Sequence, residues 1–256
     1  MSAKTGLIGY TGFVGSTLMR SRAFDARYNS SNIEEIRGRH FSTLVCAGVS
    51  AVKWLANKEP EQDKAGIIRL TDPLETVTAD HFVLVSTVDV YPAPVAVTEA
   101  DQPDPASAQP YGRHRRELEL WAQARFKRCT IVRLPGLFGE GLKKNPIYDL
   151  IVGNQVDKIV PNGVLQWYPM RRFAEDLDKV VASGHEVINV AVEPIETAAI
   201  VDMFFPGTAI GAPSPAAPRY DMRTLHAPLL GGEGDYHIDR ATMLGELKRF
   251  IEGARA

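Results

Sequence analysis

Uninterrupted apolar runs separated by stretches of helical spacing constrain this chain more than any other feature. Thr43-Leu44-Val45-Cys46-Ala47, Phe82-Val83-Leu84-Val85-Ser86 and Thr130-Ile131-Val132-Arg133-Leu134 show no polar alternation. A strand with one wet face alternates; a strand covered on both faces need not. Residues 61 to about 77 carry Ile67, Ile68, Leu70 and Leu74 along one side of a helix, and residues 111–126 carry Leu118, Leu120 and Trp121. Strands alternating with helices predict an α/β fold, a doubly wound parallel sheet. Leu7-Ile8 opens the series and a helix over 13–22 follows. Residues 24–28 read as a second strand, and Ser31 or Asn32 is placed to cap a turn of helix carrying Ile33 and Ile36. The segment between Tyr28 and Leu44 barely holds one further helix and strand, so the sheet is expected to lack a strand there.

After Gly136 the pattern loosens. Helices are expected over 145–152, 173–183, 195–205 and 240–251, and a strand over 187–192. Residues 206–218 hold four prolines and two glycines and read as a surface loop or mobile linker. This organisation predicts a sheet domain over 1–140 and a small substrate lobe over 141–256, interleaved with the end of the sheet.

Three glycines, Gly9, Gly12 and Gly15, lie between the first strand and its helix in the run Gly9-Tyr10-Thr11-Gly12-Phe13-Val14-Gly15. A glycine at a strand end permits a tight turn, a second lets backbone approach a pyrophosphate, and a third lets helix pack on sheet. The first-turn N–H groups and the helix dipole then face an anion. A Rossmann-like dinucleotide site follows, its alternative being a ligand-free strand–helix turn. Ala47 and Gly48, at the end of a neighbouring strand, belong to the same expected edge. An acid about 20 residues past the glycines would favour NAD. Asn29-Ser30-Ser31-Asn32 stands there instead, with Arg27 close by. Those residues accept a 2′-phosphate without repulsion, so NADP is the expected cofactor with NAD as the alternative; the same cluster also fits a plain helix cap.

The formal net charge of −2 argues against a nucleic-acid surface, and no apolar run approaches the ~20 residues that cross a bilayer. Neither nucleic acid nor membrane is an expected partner. Met1-Ser2-Ala3-Lys4 leads directly into the first strand, an expectation of no leader. Cys46 and Cys129 each sit in an apolar run and are expected to be reduced, which places the chain in the cytoplasm. The six histidines show no metal-ligand spacing with cysteine or carboxylate, so no metal is expected.

Two further segments carry chemistry. Tyr111 and Arg115 are four residues apart and share a helix face. The cation is expected to lower the phenol from its usual pKa of ~10 and suit it to proton transfer. Thr87, at a strand end, can hold the same substrate oxygen. Asp89 follows two residues later and either acts on substrate or caps a loop.

The glycine turn, Ser86-Thr87-x-x-Val90-Tyr91, Tyr111-x-x-x-Arg115 and Arg133-Leu134-Pro135-Gly136-Leu137-Phe138-Gly139 occur in the order that resembles the extended short-chain dehydrogenase/reductases, the sugar-nucleotide epimerase, dehydratase and reductase group. Gln166-Trp167-Tyr168 and Arg172-Phe173-Ala174-Glu175-Asp176-Leu177 extend the resemblance more softly. It implies Thr87 as the residue orienting the substrate oxygen, Tyr111 as acid/base, and Arg115 in place of the family lysine, holding the nicotinamide ribose. Arginine keeps the positive field but does not release a proton. The resemblance also implies Pro135 and Leu137 beside the nicotinamide amide and a homodimer through the helix over 111–126. Gln166, Trp167 and Tyr168 either wall a small-molecule substrate or fill the lobe core. The expected activity is an NAD(P)-dependent oxidoreductase or epimerase acting on a hydroxyl or carbonyl. The alternatives are a dinucleotide-binding protein without turnover, acting as sensor or partner subunit, and a dehydratase using Asp89.

Overall fold

The computed structural model describes residues 4–255; the Met1-Ser2-Ala3 start, on which the expectation of no leader rests, lies outside the described residues. In chain order the first elements are β1 (Thr5–Ile8), α1 (Phe13–Ser21), β2 (Ala26–Tyr28), β3 (His40–Cys46), α2 (Lys53–Lys58), α3 (Pro60–Leu74) and β4 (Thr78–Thr87). Then come β5 (Val95–Val97), α4 (Pro110–Arg125), β6 (Cys129–Leu134), β7 (Gly136–Phe138), α5 (Pro146–Val152), β8 (Val164–Leu165) and β9 (Trp167–Pro169). The chain ends with α6 (Phe173–Ser183), β10 (Val187–Asn189), β11 (Ile195–Glu196), α7 (Thr197–Phe204), β12 (Asp221–Met222) and α8 (Arg240–Arg255).

These elements form two units. The first takes in the described residues up to Pro92, Asp101–Leu134 and Phe173–Asn189; the second takes in Ala93–Ala100, Pro135–Arg172 and the described residues from Val190.

The first unit holds a six-stranded sheet in the order β10-β6-β4-β3-β1-β2. Every pairing is parallel. The apolar runs read from the sequence are its central strands, and all of β6 is buried. Between β2 and β3 stands only a short 3₁₀ turn, Ile33–Ile36, so a strand is indeed lacking at that edge. Chain order reverses between β1 and β3, and such a switch point opens a crevice at the carboxyl ends of the two strands. Helix α1 packs on α6, while α2, α3 and α4 pack on one another. Under the latter group Leu44, Cys46, Phe82, Leu84 and Ile131 meet Leu70, Leu74, Leu118, Ala122 and Phe126 in one core. Phe82 stacks on Phe126 with ring centroids 4.1 Å apart. Both cysteines are free and buried, and burial pushes their thiols up, Cys46 to about 11 and Cys129 to about 12.

A second buried layer of the first unit is ionic. The Glu119 carboxylate, wholly buried, accepts from Ser86 Oγ at 2.5 Å, Arg116 Nη1 at 2.9 Å, Arg133 Nε at 3.0 Å and Arg133 Nη2 at 2.7 Å. Arg133 Nη1 goes on to donate to the Tyr91 hydroxyl at 2.6 Å. Helix α4, strand β4 and strand β6 are thereby tied together under the site-bearing edge.

The second unit is built from short ladders. β7 pairs with β9 in parallel, β8 with β11 antiparallel and β12 with β5 in parallel. The proline-rich segment over 206–218 is irregular but pinned. Gly211 N–H donates to Ile159 O, Val164 N–H donates to Pro218 O, and the Asn162 amide exchanges two bonds with the Ser214 backbone. No helix among the described residues is long and apolar enough to cross a membrane.

Candidate active site

The turn after β1 is shaped by its glycines. Gly9 has a φ of +85°, and a Cβ there would lie 2.3 Å from the Ala47 carbonyl oxygen. A Cβ on Gly15 would lie 2.1 Å from the Gly9 carbonyl. Only glycine fits either position. Gly12 differs, since its Cβ would meet only the Gly9 oxygen at 3.4 Å. Gly9 and Gly15 therefore serve close packing of turn, helix and β3, and Gly12 leaves the space above the helix start open. No side chain caps α1 at Gly12, and the N–H groups of a helix's first turn have no acceptor within the helix. An uncapped positive helix end over an open glycine suits a phosphate group. Tyr10, Thr11, Phe13 and Val14 complete this turn, and Ala47 with Gly48 closes its far side at the end of β3.

At the end of β2, Asn29 anchors a polar knot. Its Oδ1 accepts from Ser31 N at 2.9 Å and Ser31 Oγ at 2.6 Å, and its Nδ2 donates to the Tyr10 hydroxyl at 3.2 Å. The Arg27 guanidinium lies 5.8 Å from the Tyr10 ring centroid. Ser30 and Arg27 are exposed. Asp25 precedes β2 and accepts from Thr5 N–H and the Thr5 hydroxyl, which hold its carboxyl below the usual range.

Thr87 ends β4, and its hydroxyl accepts from Asp89 N–H at 3.2 Å, starting a short 3₁₀ turn. Tyr111 is 7% exposed, and the Thr87 side chain lies near enough to its phenol to favour the phenolate. The two residues are thus brought together at the carboxyl end of the sheet. Burial pushes the Tyr111 phenol above its ordinary value; Arg115 pulls the other way, Asp89 adds to the rise, and the Thr87 side chain and Lys53 oppose it. The expectation that Arg115 would leave this tyrosine more acidic is corrected by that balance: desolvation of the phenolate outweighs the cation.

Arg115 sits where the four-residue spacing puts it, with its guanidinium 3.9 Å from the Tyr111 ring centroid. Its donors are engaged. Nη1 reaches Asp63 Oδ2 at 2.5 Å and Tyr111 O at 3.1 Å; Nη2 reaches Asp63 Oδ1 at 2.8 Å and Ser50 O at 2.6 Å. His114 Nδ1 shares Asp63 Oδ2 at 2.8 Å. Burial pushes the Asp63 carboxyl up, but the hydrogen bonds and charges of Arg115 and His114 outweigh it and hold the group below the usual range.

Three residues of this site escape the sequence reading. Asn57 Oδ1, on α2, accepts from Tyr111 N–H at 2.9 Å and so caps the start of α4. Lys53 Nζ, from the first turn of α2, binds Asp89 Oδ1 at 2.6 Å. Gly112 packs against the turn: a Cβ there would lie 1.9 Å from the Asp89 carbonyl oxygen. A glycine inside a helix costs about 1 kcal/mol relative to alanine, and that is the one signal in the sequence that pointed to a close contact beside Tyr111.

The remaining expected residues belong to the second unit. Pro135 is buried and Leu137 is half-buried in β7, where Leu137 O accepts from Asn145 Nδ2 at 2.8 Å. Gln166 is buried, and its amide bonds Val192 O at 2.5 Å, Met222 O at 2.8 Å and Met222 N at 2.8 Å. Trp167 is buried with its Nε1 unpartnered, and Tyr168 is fully buried.

No protein-family model and no curated protein matches this sequence. Solved structures do match it in fold. A UDP-glucose 4-epimerase from Thermotoga maritima, solved with UDP-glucose, superposes with a TM-score of 0.75 at 14% identity, covering 98% of this chain and 98% of that one. A dTDP-4-dehydrorhamnose reductase from Bacillus anthracis, solved with NADP, gives 0.74 at 17% identity with 99% of each chain covered. A dTDP-glucose 4,6-dehydratase from Streptomyces venezuelae, a double mutant solved with NAD bound, gives 0.72 at 15% identity over 98% and 97%. The parallel sheet with its glycine turn, together with these superpositions, gives the chain a Rossmann fold, the fold it shares with those epimerase, reductase and dehydratase structures.

Proposed function

We propose that this chain is an NAD(P)-dependent oxidoreductase or epimerase acting at a carbon that bears a hydroxyl or carbonyl, on a sugar-derived substrate. The observation that carries the reading is the buried Tyr111 phenol beside the Thr87 side chain, at the same sheet edge as the glycine turn. A phenol beside a strand-end hydroxyl can pass a proton to or from a substrate oxygen. The glycine turn fits the coenzyme: its uncapped helix start would hold the pyrophosphate, and Arg27, Asn29, Ser30 and Ser31 would surround the adenosine ribose. Those four residues bring no carboxylate to the end of β2, which favours NADP over NAD. The coenzyme, when bound, supplies the hydride.

Tyr111 moves the proton. Because burial keeps the phenol protonated through neutral pH, the favoured task is proton delivery to the oxygen of a carbonyl under reduction. In the opposite direction the phenolate takes the proton back. Thr87 fixes the oxygen by donating its hydroxyl hydrogen. The UDP-glucose bound in the superposed epimerase supports a sugar nucleotide as the substrate class. Arg115, with four bonds made to protein, serves Tyr111 by stacking on its ring.

That occupation of Arg115 also favours a second reading, a dinucleotide-binding sensor without turnover. Titration of NADPH and NADH by fluorescence, followed by a panel of nucleotide-linked keto sugars, separates the two. Turnover that falls at least a hundredfold in Tyr111→Phe with coenzyme binding retained is the expected result. Tight binding without oxidation of NADPH by any carbonyl would favour the sensor, and no uptake of either coenzyme would overturn both. The exposed Ile68 and Leu120, on α3 and α4, support a homodimer contact at this helix pair; sedimentation of Ile68→Glu tests it.

A further inference from the structure

We propose that Asp63 and Arg115 are positioning residues that clamp the loop after β3 to the start of α4, holding the coenzyme side of the site in register with Tyr111. The inference rests on the coenzyme and acid/base readings above and names the two side chains that join those parts of the site.

Residues 47–52 run without regular structure from the end of β3 to the start of α2. The near end of this loop abuts the glycine turn. Ala47 N–H donates to Ile8 O at 2.9 Å, and a Cβ on Gly48 would lie 2.9 Å from Ile8 Cγ2 and 3.7 Å from Gly9 N. The far end leads into α2, whose Asn57 accepts from the Tyr111 N–H. Between the two ends, Ser50 O accepts from Arg115 Nη2 at 2.6 Å. The same guanidinium donates through Nη1 to Tyr111 O at 3.1 Å, and its Cζ lies 3.9 Å from the Tyr111 ring centroid. One side chain of α4 therefore touches the loop that closes the glycine turn and also the backbone and ring of Tyr111.

Asp63, from α3, makes that double reach possible. Its Oδ2 accepts from Arg115 Nη1 at 2.5 Å and its Oδ1 from Nη2 at 2.8 Å. The Arg115 and Asp63 side chains are 4% and 7% exposed, so a paired carboxylate stands in for the water this cation has lost. A bidentate pair fixes the plane of a guanidinium as well as its position. With the plane set, the remaining N–H of Nη2 reaches Ser50 O and that of Nη1 reaches Tyr111 O. Four of the five N–H donors are thereby engaged by protein, which makes Arg115 a strut rather than a ribose ligand. His114 Nδ1, 2.8 Å from Asp63 Oδ2, steadies the carboxylate from the preceding position on α4. Lysine cannot replace such a strut, because its ammonium is a point charge without a plane.

Two substitutions separate a clamp from a ribose ligand. If Arg115 held the ribose, Arg115→Lys would keep a cation for it and Asp63→Asn would release the guanidinium towards the coenzyme, so both would retain NADPH. The clamp requires the opposite. Fluorescence titration is expected to show NADPH binding weakened about tenfold in each variant, the fold-change that corresponds to re-ordering one backbone residue on binding. A second measurement needs no coenzyme. The Ala56 amide of α2 donates to Val52 O, at the end of the loop. Its hydrogen exchange is expected to speed up about tenfold in both variants relative to amides of β4 and β6, for the same loss of anchoring. Urea unfolding shows that each variant is folded before either measurement. NADPH affinity as tight as wild type in Arg115→Lys, or α2 exchange unchanged in both variants, would overturn the clamp. If wild type takes up neither coenzyme while α2 exchange moves as expected, the clamp stands and the coenzyme reading falls instead.

Discussion

Glu119 is the residue whose loss the structure prices most clearly. Its side chain has 0% exposure, and those of Arg133 and Arg116 have 2% and 6%. One carboxylate therefore serves as the shared counter-ion of two buried guanidinium groups and also accepts from the Ser86 hydroxyl. Glu119→Ala removes four hydrogen bonds at once and strands both cations in a medium where an ion is strongly disfavoured. Breaking a buried pair by deleting one partner costs about 3–5 kcal/mol. Two cations are stranded here, so the upper end of that range applies, against a total of about 5–15 kcal/mol for a typical domain. Burial pulls the Arg133 guanidinium down, but the Glu119 bond and charge outweigh it and hold the group above its ordinary value. With Glu119 gone, burial is opposed only by the Tyr91 hydroxyl, and the Arg133 charge is left desolvated without a counter-ion. Urea unfolding followed by both fluorescence and circular dichroism measures the loss, because coincident transitions are needed before one free energy can be quoted for a chain of two units. Glu119→Gln keeps the volume and part of the hydrogen bonding, and is expected to fall between wild type and alanine. The exposed pair Arg37–Asp72 supplies the contrast: Arg37→Met is expected to leave the urea midpoint close to that of wild type. A loss below about 1 kcal/mol in Glu119→Ala would falsify the account of a buried shared counter-ion, since a typical surface pair contributes as little.

Gly112→Ala places a methyl 1.9 Å from the Asp89 carbonyl, so α4 must shift; turnover is expected to fall about a hundredfold, as a 1 Å misplacement of a catalytic group does, with coenzyme affinity unchanged. Asp63 predicts an acid limb of stability. Its folded carboxyl titrates below the unfolded value of ~3.9, so the contribution is fully present above that value and is lost as pH falls through the folded one; Asp63→Asn is expected to flatten urea midpoints measured from about pH 5 downward, and an unchanged slope refutes it. Arg27→Ala is expected to weaken NADPH about tenfold or more while leaving NADH within twofold, the loss of one charge-assisted contact of about 1.5–3 kcal/mol; equal loss for both coenzymes removes Arg27 from the 2′-phosphate.

Much of the sheet unit was legible because its signals are local. Apolar runs without alternation became β3, β4 and β6, and the glycine turn fell between β1 and α1 as its spacing required. Helix α2 was not legible. Its six residues, Lys53 to Lys58, start at Val52 without a side-chain cap and bury only Ala56. That helix is stabilised by packing on α3 and α4 rather than by its own sequence. Because α2 was invisible, so were Lys53, which binds Asp89, and Asn57, which accepts from the Tyr111 N–H. The placement of Arg115 was legible but its surroundings were not, since Asp63 lies 52 residues away and nothing in the linear sequence links them. The same gap explains the reversed direction of the Tyr111 shift. Four-residue spacing reports a neighbouring cation, which is a pairwise and local fact. Burial is the sum of everything packed around the ring, and it outweighs the pair as soon as α2, α4 and the Thr87 turn close over the phenol. A motif therefore reports which groups lie near one another in the fold, while the protonation state in which they wait is set by elements the motif does not contain.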